Sequence, residues 1–200
     1  MEAKYNVVKD VLITLSGLDG SGKSTISNEI SKLYESKELR HISIINFRIL
    51  NKLSYAFRNN KSTKNKHVSS NYVLLFNSLS LILDIFIFKI NYNLFQKNKI
   101  VICDRYFYDL LISIKYRHGK IPLFNFITNI IDKPDFSFLI KVNPKIAQSR
   151  EKDDKHQMQY FNEKNNLYIK TKEKFGFTII DNNLKISTAL ASIKEKLIID

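Results

Sequence analysis

Residues 11–25 read VLITLSGLDGSGKST, and this stretch decides the fold. Its first part, Val11 to Leu15, is a short apolar run that is typical of a strand buried in a parallel sheet. The second part has the spacing GxxxxGK[ST] and leads into a helical pattern that starts near Gly22. The glycines let backbone N–H groups turn toward a phosphate chain, and the following helix adds its positive N-terminal end. The stretch therefore predicts a phosphate-binding loop with ligand contacts from Gly17, Gly20, Ser21, Gly22, Lys23, Ser24 and Thr25.

A second chemical signal follows the predicted strand Ile100 to Cys103, where the sequence continues Asp104-Arg105-Tyr106. In an open parallel sheet, ligands bind at the carboxyl ends of the strands. An aspartate at such an end can hold Mg²⁺ together with the Ser24 hydroxyl, while Lys23 reaches the β- and γ-phosphates of a nucleotide. The neighbouring arginine can pair with a phosphate through two parallel N–H groups. The two signals together predict ATP and Mg²⁺ as cofactors, with Ser24 and Asp104 as metal ligands.

Further short apolar runs lie at residues 42–47, 136–142 and 177–180, and helical stretches separate them. Parallel strands need crossover connections, which helices supply on both faces of a sheet. The alternation therefore predicts the α/β class, with a five-stranded parallel sheet flanked by helices on both faces. With 44% hydrophobic residues the chain can bury a sizeable core, so we expect a single domain over residues 1–200.

The charge composition indicates an anionic partner. The chain carries 32 Lys and Arg against 19 Asp and Glu, a formal net charge of +13 that suits nucleic acid or phosphorylated small molecules.

The single cysteine, Cys103, excludes a disulfide scaffold and favours a reducing compartment. No signal peptide is recognised, so we expect a cytoplasmic protein. Within the apolar stretch 73–90 a membrane span is disfavoured, and a buried helix favoured, because polar residues interrupt it at Asn77, Ser78, Ser80 and Asp84.

These motifs make the chain resemble the thymidylate kinase-like branch of the nucleoside monophosphate kinases over nearly its whole length. The resemblance implies a P-loop kinase fold and a small-molecule nucleotide substrate. It also implies transfer of the γ-phosphoryl group of ATP to a nucleoside monophosphate, with dTMP as the expected acceptor. Members of the family often pair through a helical face, so the resemblance implies a homodimer as well.

The resemblance assigns roles to individual residues. Asp19 would contact the acceptor sugar hydroxyl, and Arg105 would bind the acceptor phosphate. Arg150 stands where the family opens a lid, here a short one at about residues 150–157. Transfer of a phosphoryl group needs positioning and charge neutralisation, so Lys23, Arg105 and Arg150 are the predicted catalytic residues. The predicted acceptor contacts are Asp19, Phe47, Arg48, Phe76 and Arg105.

Two positions depart from the family pattern. Ser80 stands where the family has an arginine that reads the thymine edge, and Asp109 stands where it has a serine. A kinase for a nucleoside or another small hydroxyl-bearing metabolite is therefore a second hypothesis, with Asp104 or Asp109 as base. Against it, the end of the second predicted strand reads Asn46-Phe47-Arg48, where there is no acid and the arginine suits an incoming phosphate. A third hypothesis, a P-loop ATPase associated with nucleic acid, rests only on net charge, and nucleic acid is the less favoured partner.

Overall fold

The computed structural model describes residues 11–33, 39–42, 71–95, 100–151 and 157–198. In these residues five strands form one sheet in the order β2-β3-β1-β4-β5, and every neighbouring pair is parallel. The strands are β1 (Val11–Ser16), β2 (Leu39–Ile42), β3 (Ile100–Asp104), β4 (Phe136–Lys141) and β5 (Thr178–Asp181). The helices are α1 (Lys23–Leu33), α2 (Asn71–Phe95), α3 (Phe107–His118), α4 (Phe124–Ile130), α5 (Pro144–Arg150), α6 (Met158–Thr171) and α7 (Ile186–Ile198).

The predicted open α/β sheet is confirmed, and four of the predicted strands agree with the observed bounds to within one residue. The second strand starts earlier than predicted, because β2 begins at Leu39, three residues before the predicted start at Ile42. Its position follows its pairing with β3, in which Leu39 lies opposite Ile100 and Ile42 opposite Cys103. Since β2 is at the edge of the sheet, its sequence can include polar residues, here Arg40 and His41, which do not form an apolar run. The remaining predicted residues of this strand, together with Phe47 and Arg48, lie outside the described residues.

Alternation along β1 divides the core between the two faces of the sheet. Ile13 and Leu15 pack on one face with α1 and α7, in a cluster that includes Ile26 and Ile193. Leu12 faces the other side and belongs to a larger cluster built from β3, α2, α3 and α6. Side chains of a strand point alternately to opposite faces, so both faces of β1 become buried. Helices therefore cover both faces of the sheet, as predicted.

Helix α2 is long and apolar enough to cross a membrane by length and composition, over Leu74–Leu94. One side of it is buried in the protein core and includes Leu81, Asp84 and Phe88. Asp84 is only 1% exposed on that side, so the helix directs a carboxylate into the core of the domain. This burial supports the prediction of a core helix. The outer side is apolar and exposed, and it carries Leu75, Phe76, Leu79, Leu83, Phe86, Ile90 and Leu94.

At the carboxyl edge of the sheet, short loops connect the strands to the helices that follow them. Asn143 caps α5, because its side chain accepts the Lys145 backbone N–H at 2.9 Å and Pro144 occupies the first turn. Helix α3 follows β3 after Arg105 and Tyr106, and it ends at Gly119 in the left-handed conformation. These connections bring the phosphate loop, the motif after β3 and the segment after β4 to the same edge.

Candidate functional site

The phosphate loop lies between β1 and α1 and needs its glycines for steric reasons. Gly20 has φ +75° and Gly22 has φ +91°, values that other residues adopt only with strain. A Cβ on Gly20 would lie 2.2 Å from the Ala147 carbonyl oxygen, and one on Gly22 would lie 2.6 Å from Asn182 Nδ2. The loop is therefore packed against the segments that follow β4 and β5. Its backbone could not keep this path with larger residues.

Lys23 is buried in the loop at 4% exposure. Its Nζ donates hydrogen bonds to the Gly17 carbonyl and to Ser21 Oγ, both at 3.1 Å, and also to the Leu18 carbonyl. Burial, together with the nearby positive charge of Arg105, lowers the pKa of Lys23 to about 7. Asp109, Asp19 and Asp104 oppose this shift, and an anionic phosphate chain in the loop would add further negative charge and favour the ammonium form.

Ser24 and Asp104 meet at the end of β3. The Ser24 hydroxyl donates to Asp104 Oδ2 at 2.5 Å, while Asp104 Oδ1 is buried and has no hydrogen-bond partner among the described residues. A buried carboxylate oxygen without a donor calls for a cation or a water molecule. Mg²⁺ takes oxygen ligands and is usually held by one or two protein groups together with phosphates and water. The pair therefore fits the magnesium ion that a nucleotide would bring.

Arg105 turns its guanidinium toward the phosphate loop. Its backbone has φ +73°, and its N–H donates to the Leu15 carbonyl at 3.0 Å, next to the end of the β1–β3 ladder. A non-glycine residue in the left-handed region costs free energy, which the surrounding contacts must offset. Nη2 forms an ion pair with Asp19 Oδ1, and both side chains are largely buried. The motif after β3 and the acid of the phosphate loop are thus in direct contact.

Helix α6 supplies the second set of partners for Asp19. The Tyr160 hydroxyl donates to Asp19 Oδ2, and Lys164 Nζ lies 3.6 Å from the same oxygen. Burial alone would raise the pKa of Asp19, but Lys164 and Arg105 outweigh it and hold the pKa well below its usual range. Burial lowers the pKa of Lys164, and Asp19 opposes that shift. Asp19 therefore stays ionised between two cations, Arg105 from the turn after β3 and Lys164 from α6.

Asp109 is a buried carboxylate, 2% exposed, with four donors. It accepts hydrogen bonds from Ser16 Oγ at 2.6 Å, the Gly17 N–H at 3.2 Å, the Tyr106 N–H at 3.1 Å and the Tyr168 hydroxyl at 2.6 Å. Tyr168 also contacts the Gly17 carbonyl at 3.0 Å. The carboxylate thereby joins the start of the phosphate loop to α3 and α6.

The segment after β5 holds the loop from the other side. Asn182 is 3% exposed, and its Nδ2 donates to the Ser21 carbonyl at 2.9 Å. Arg150, at the end of α5, is exposed and reaches the Asn182 carbonyl through Nη1 at 3.5 Å. Arg150 thus lies beside the phosphate loop, next to the predicted lid, of which residues 152–156 lie outside the described residues.

A model of the thymidylate kinase family matches residues 15–197 of this chain. The chain belongs to the thymidylate kinase family. It is therefore a nucleotide kinase, an enzyme that transfers phosphoryl groups. A search of curated proteins finds no match.

Three solved structures share the fold of this family member over 94% of its length. The thymidylate kinase of Ehrlichia chaffeensis is 22% identical with a TM-score of 0.64, and 99% of that chain is covered. The deoxyadenosine kinase of M. mycoides, solved with the products dCMP and a flexible dCDP, is 21% identical with a TM-score of 0.62 over 98% of that chain. The thymidylate kinase of Candida albicans is 19% identical with a TM-score of 0.66 over 91% of that chain.

In this nucleotide kinase the structure brings Lys23, Asp19 and Arg105 together. Ser24 and Asp104 are hydrogen-bonded beside them. Thr25 is exposed on the first turn of α1. Phe76 is 54% exposed on α2, whereas Ser80, one turn later, is buried with a hydroxyl that has no hydrogen-bond partner among the described residues.

The sequence did not predict four side-chain contacts with the phosphate loop, made by Tyr160, Lys164, Tyr168 and Asn182. The helical spacing of Tyr160 and Tyr168 predicted a face toward the core, or a cover over the acceptor pocket. The three on α6 repeat every fourth residue, so they lie on one helix face. The spacing indicates a shared face, but it does not reveal what that face contacts.

Proposed function

We propose that this nucleotide kinase transfers the γ-phosphoryl group of ATP to a nucleoside monophosphate, with dTMP as the preferred acceptor. The observation that carries the proposal is the place of Arg105, whose largely buried guanidinium pairs with Asp19 beside the phosphate loop. A guanidinium matches a phosphate through two parallel N–H groups, and among the described residues this one donates to Asp19 Oδ1. An acceptor phosphate could therefore bind Arg105 close to the γ-phosphate.

On the ATP side, the phosphate loop would hold the phosphate chain from Gly17 to Thr25, with Lys23 at the β- and γ-phosphates. Ser24 and Asp104 would hold Mg²⁺, which would supply positive charge to the phosphate oxygens. Arg150 would close over the transferring group from the lid. Lys23, Arg105 and Arg150 would together stabilise the charge that develops during transfer, and an arginine in this role is worth ~10³ or more in rate.

On the acceptor side, Asp19 would contact the sugar hydroxyl and Phe76 would stack on the base. The half-exposed ring of Phe76 supports stacking, because a core residue at that position would be covered. Phe47 and Arg48 complete the proposed acceptor contacts, as a prediction from the sequence alone. Ser80 stands where the family pattern has the arginine that reads the thymine edge, so the preference for dTMP is tested at this position.

A hydroxyl acceptor would need a carboxylate to take up its proton. Asp109 is disfavoured for this role, since four donors already surround its two oxygens. Asp104 is bonded to Ser24 and directed to the proposed metal. Both acids are therefore committed, which favours an acceptor that arrives as a phosphate.

We also propose that the enzyme is a cytoplasmic homodimer that pairs through Leu75, Leu79 and Leu83 on the exposed side of α2, beside the Phe76 ring that faces the acceptor. Leu75, Leu79 and Leu83 follow one another at spacings of four on that side and are 43–51% exposed. Exposed apolar surface of this extent is typical of an interaction site. Sedimentation velocity should show a dimer that Leu83→Glu converts to a monomer, and a monomeric wild type would contradict the assembly.

The first test is a panel of nucleoside monophosphates and the matching nucleosides, each incubated with ATP, Mg²⁺ and the enzyme. We expect transfer to dTMP above the other monophosphates and little transfer to nucleosides. Arg105→Lys keeps the charge but loses the paired N–H groups, which costs about 1.5–3 kcal/mol, or roughly ten- to hundredfold in kcat/KM for a monophosphate. Inactivity on every monophosphate, or preference for nucleosides, would contradict the proposal.

The acceptor base is tested by Ser80→Arg. If the base stacks on Phe76, an arginine one turn further along α2 should raise the preference for dTMP over other monophosphates. Because Ser80 is buried, thermal melting must first show that the variant folds. A folded variant with unchanged acceptor preference would remove the grounds for placing the base at α2.

A further inference from the structure

Helix α6 presents three polar side chains, Tyr160, Lys164 and Tyr168, toward the phosphate loop at spacings of four residues. All three are buried, and Lys164 is 4% exposed. A lysine is almost never buried unless its charge has a partner. The burial of Lys164 therefore depends on the groups that interact with its charge and is not explained by packing alone.

Lys164 has two neighbours that define its environment. Its Nζ donates to the Tyr160 hydroxyl oxygen at 3.0 Å, and the Tyr160 hydroxyl donates in turn to Asp19 Oδ2. Nζ also lies 3.6 Å from Asp19 Oδ2. Lys164 thus acts on Asp19 both directly and through Tyr160.

Asp19 divides its two oxygens between two cations. Oδ1 pairs with Arg105 and Oδ2 faces Lys164 and Tyr160. If Arg105 is to bind an acceptor phosphate, it must loosen its hold on Asp19. An aspartate that already has a second cation and a hydroxyl donor competes less strongly for Arg105 than one that has Arg105 alone.

We propose that Lys164 is a positioning residue that neutralises Asp19 through Oδ2 and thereby leaves the Arg105 guanidinium available to the acceptor phosphate. The inference rests on the proposed function, in which Arg105 binds that phosphate. It makes Lys164 a determinant of affinity for phosphorylated acceptors. Lys164 need not touch the substrate, because it acts through Asp19 and Arg105.

The test is Lys164→Met, which keeps the length of the side chain and removes its charge. Calorimetric binding of dTMP without ATP should weaken about tenfold, the effect of losing one charged interaction at a buried carboxylate. Binding of ATP should change little, because in the proposed arrangement ATP binds on the other side of the loop. Thymidine, which has the sugar that Asp19 contacts but no phosphate for Arg105, should weaken less than dTMP. Lys164→Arg should restore dTMP binding, and Lys170→Met, at an exposed position of the same helix, is the matched control.

A purely structural role is separated by the same change in an Asp19→Asn background. If Lys164 acts through Asp19, Lys164→Met should have no effect on dTMP binding there. Equal weakening of dTMP, thymidine and ATP, or wild-type dTMP affinity in a folded Lys164→Met variant, would overturn the inference. In the latter case the proposed function would stand, since transfer to dTMP is measured separately. A wild type that neither binds nor phosphorylates any monophosphate would overturn both.

Discussion

Replacing Asp109 by alanine should destabilise the enzyme and weaken nucleotide binding together. The carboxylate is 2% exposed and accepts four hydrogen bonds, two of them from the backbone N–H groups of Gly17 and Tyr106. The other two come from hydroxyls, which can rotate toward new acceptors. Tyr168, for example, keeps its contact with the Gly17 carbonyl at 3.0 Å. The backbone N–H groups have no such freedom.

The magnitude follows from those two N–H groups. A buried donor left without an acceptor costs about 1–3 kcal/mol, so the loss should be about 2–6 kcal/mol in the free energy of unfolding. At roughly 2–4 °C per kcal/mol for a chain of this size, a loss near the middle of that range lowers Tm by about 8–16 °C. Because Gly17 opens the phosphate loop, the affinity for ATP should fall as well.

Urea unfolding and binding of a fluorescent ATP analogue measure the two effects. Asp132→Ala is the matched control, since it removes an aspartate whose ion pair with Lys89, at 2.8 Å, is partly exposed. Such a pair contributes only about 0–1 kcal/mol. A loss for Asp109→Ala no larger than that of the control would refute the anchoring role. Normal stability and ATP binding with transfer abolished would instead indicate a base at Asp109.

Three further outcomes are expected. Gly20→Ala should lose ATP binding, because its Cβ would meet the Ala147 carbonyl. Gly119→Ala, at a similar φ of +71° but with open space around it, should keep ATP binding. Equal losses of ATP affinity in the two variants would show that backbone strain alone is responsible. Asp104→Asn should lower Mg²⁺-dependent transfer and raise the Mg²⁺ concentration needed, and an unchanged magnesium titration would count against the metal site. Lys23 has a pKa of about 7 in the fold against 10.5 ordinarily, so the unfolded chain binds the extra proton and stability from this group should rise between about pH 7 and 10.5. Binding of ATP at pH 8 should raise the pKa of Lys23, so that the amine takes up a proton. Calorimetry of ATP binding in two buffers that shows no proton uptake would contradict this expectation.

The sequence alone determined the parts of the molecule that depend on local spacing. The run from residue 11 to 25 encodes a strand, a glycine turn and a helix start within one short segment, and each needs only its own residues to be recognised. The same holds for Ile100 to Asp104, a buried strand with an acid at its end. The sheet class followed from such runs, because fully apolar strands between helices can be buried only in a covered parallel sheet. An edge strand lacks that signature, which is why the sequence alone did not indicate that β2 begins at Leu39.

Only the tertiary structure decided which polar residues serve the phosphate loop. Tyr160 is 141 positions from Asp19 in the chain, and Asn182 is 161 positions from Ser21. The spacing of Tyr160, Lys164 and Tyr168 was equally compatible with a helix face buried in an ordinary core. Spacing shows which residues share a helix face, but what that face contacts depends on where the chain places the helix. Asp109 could be read as a base until its four donors were visible. A carboxylate becomes a structural anchor or a catalytic group according to what surrounds it, and those surroundings come from segments that meet only in the folded chain.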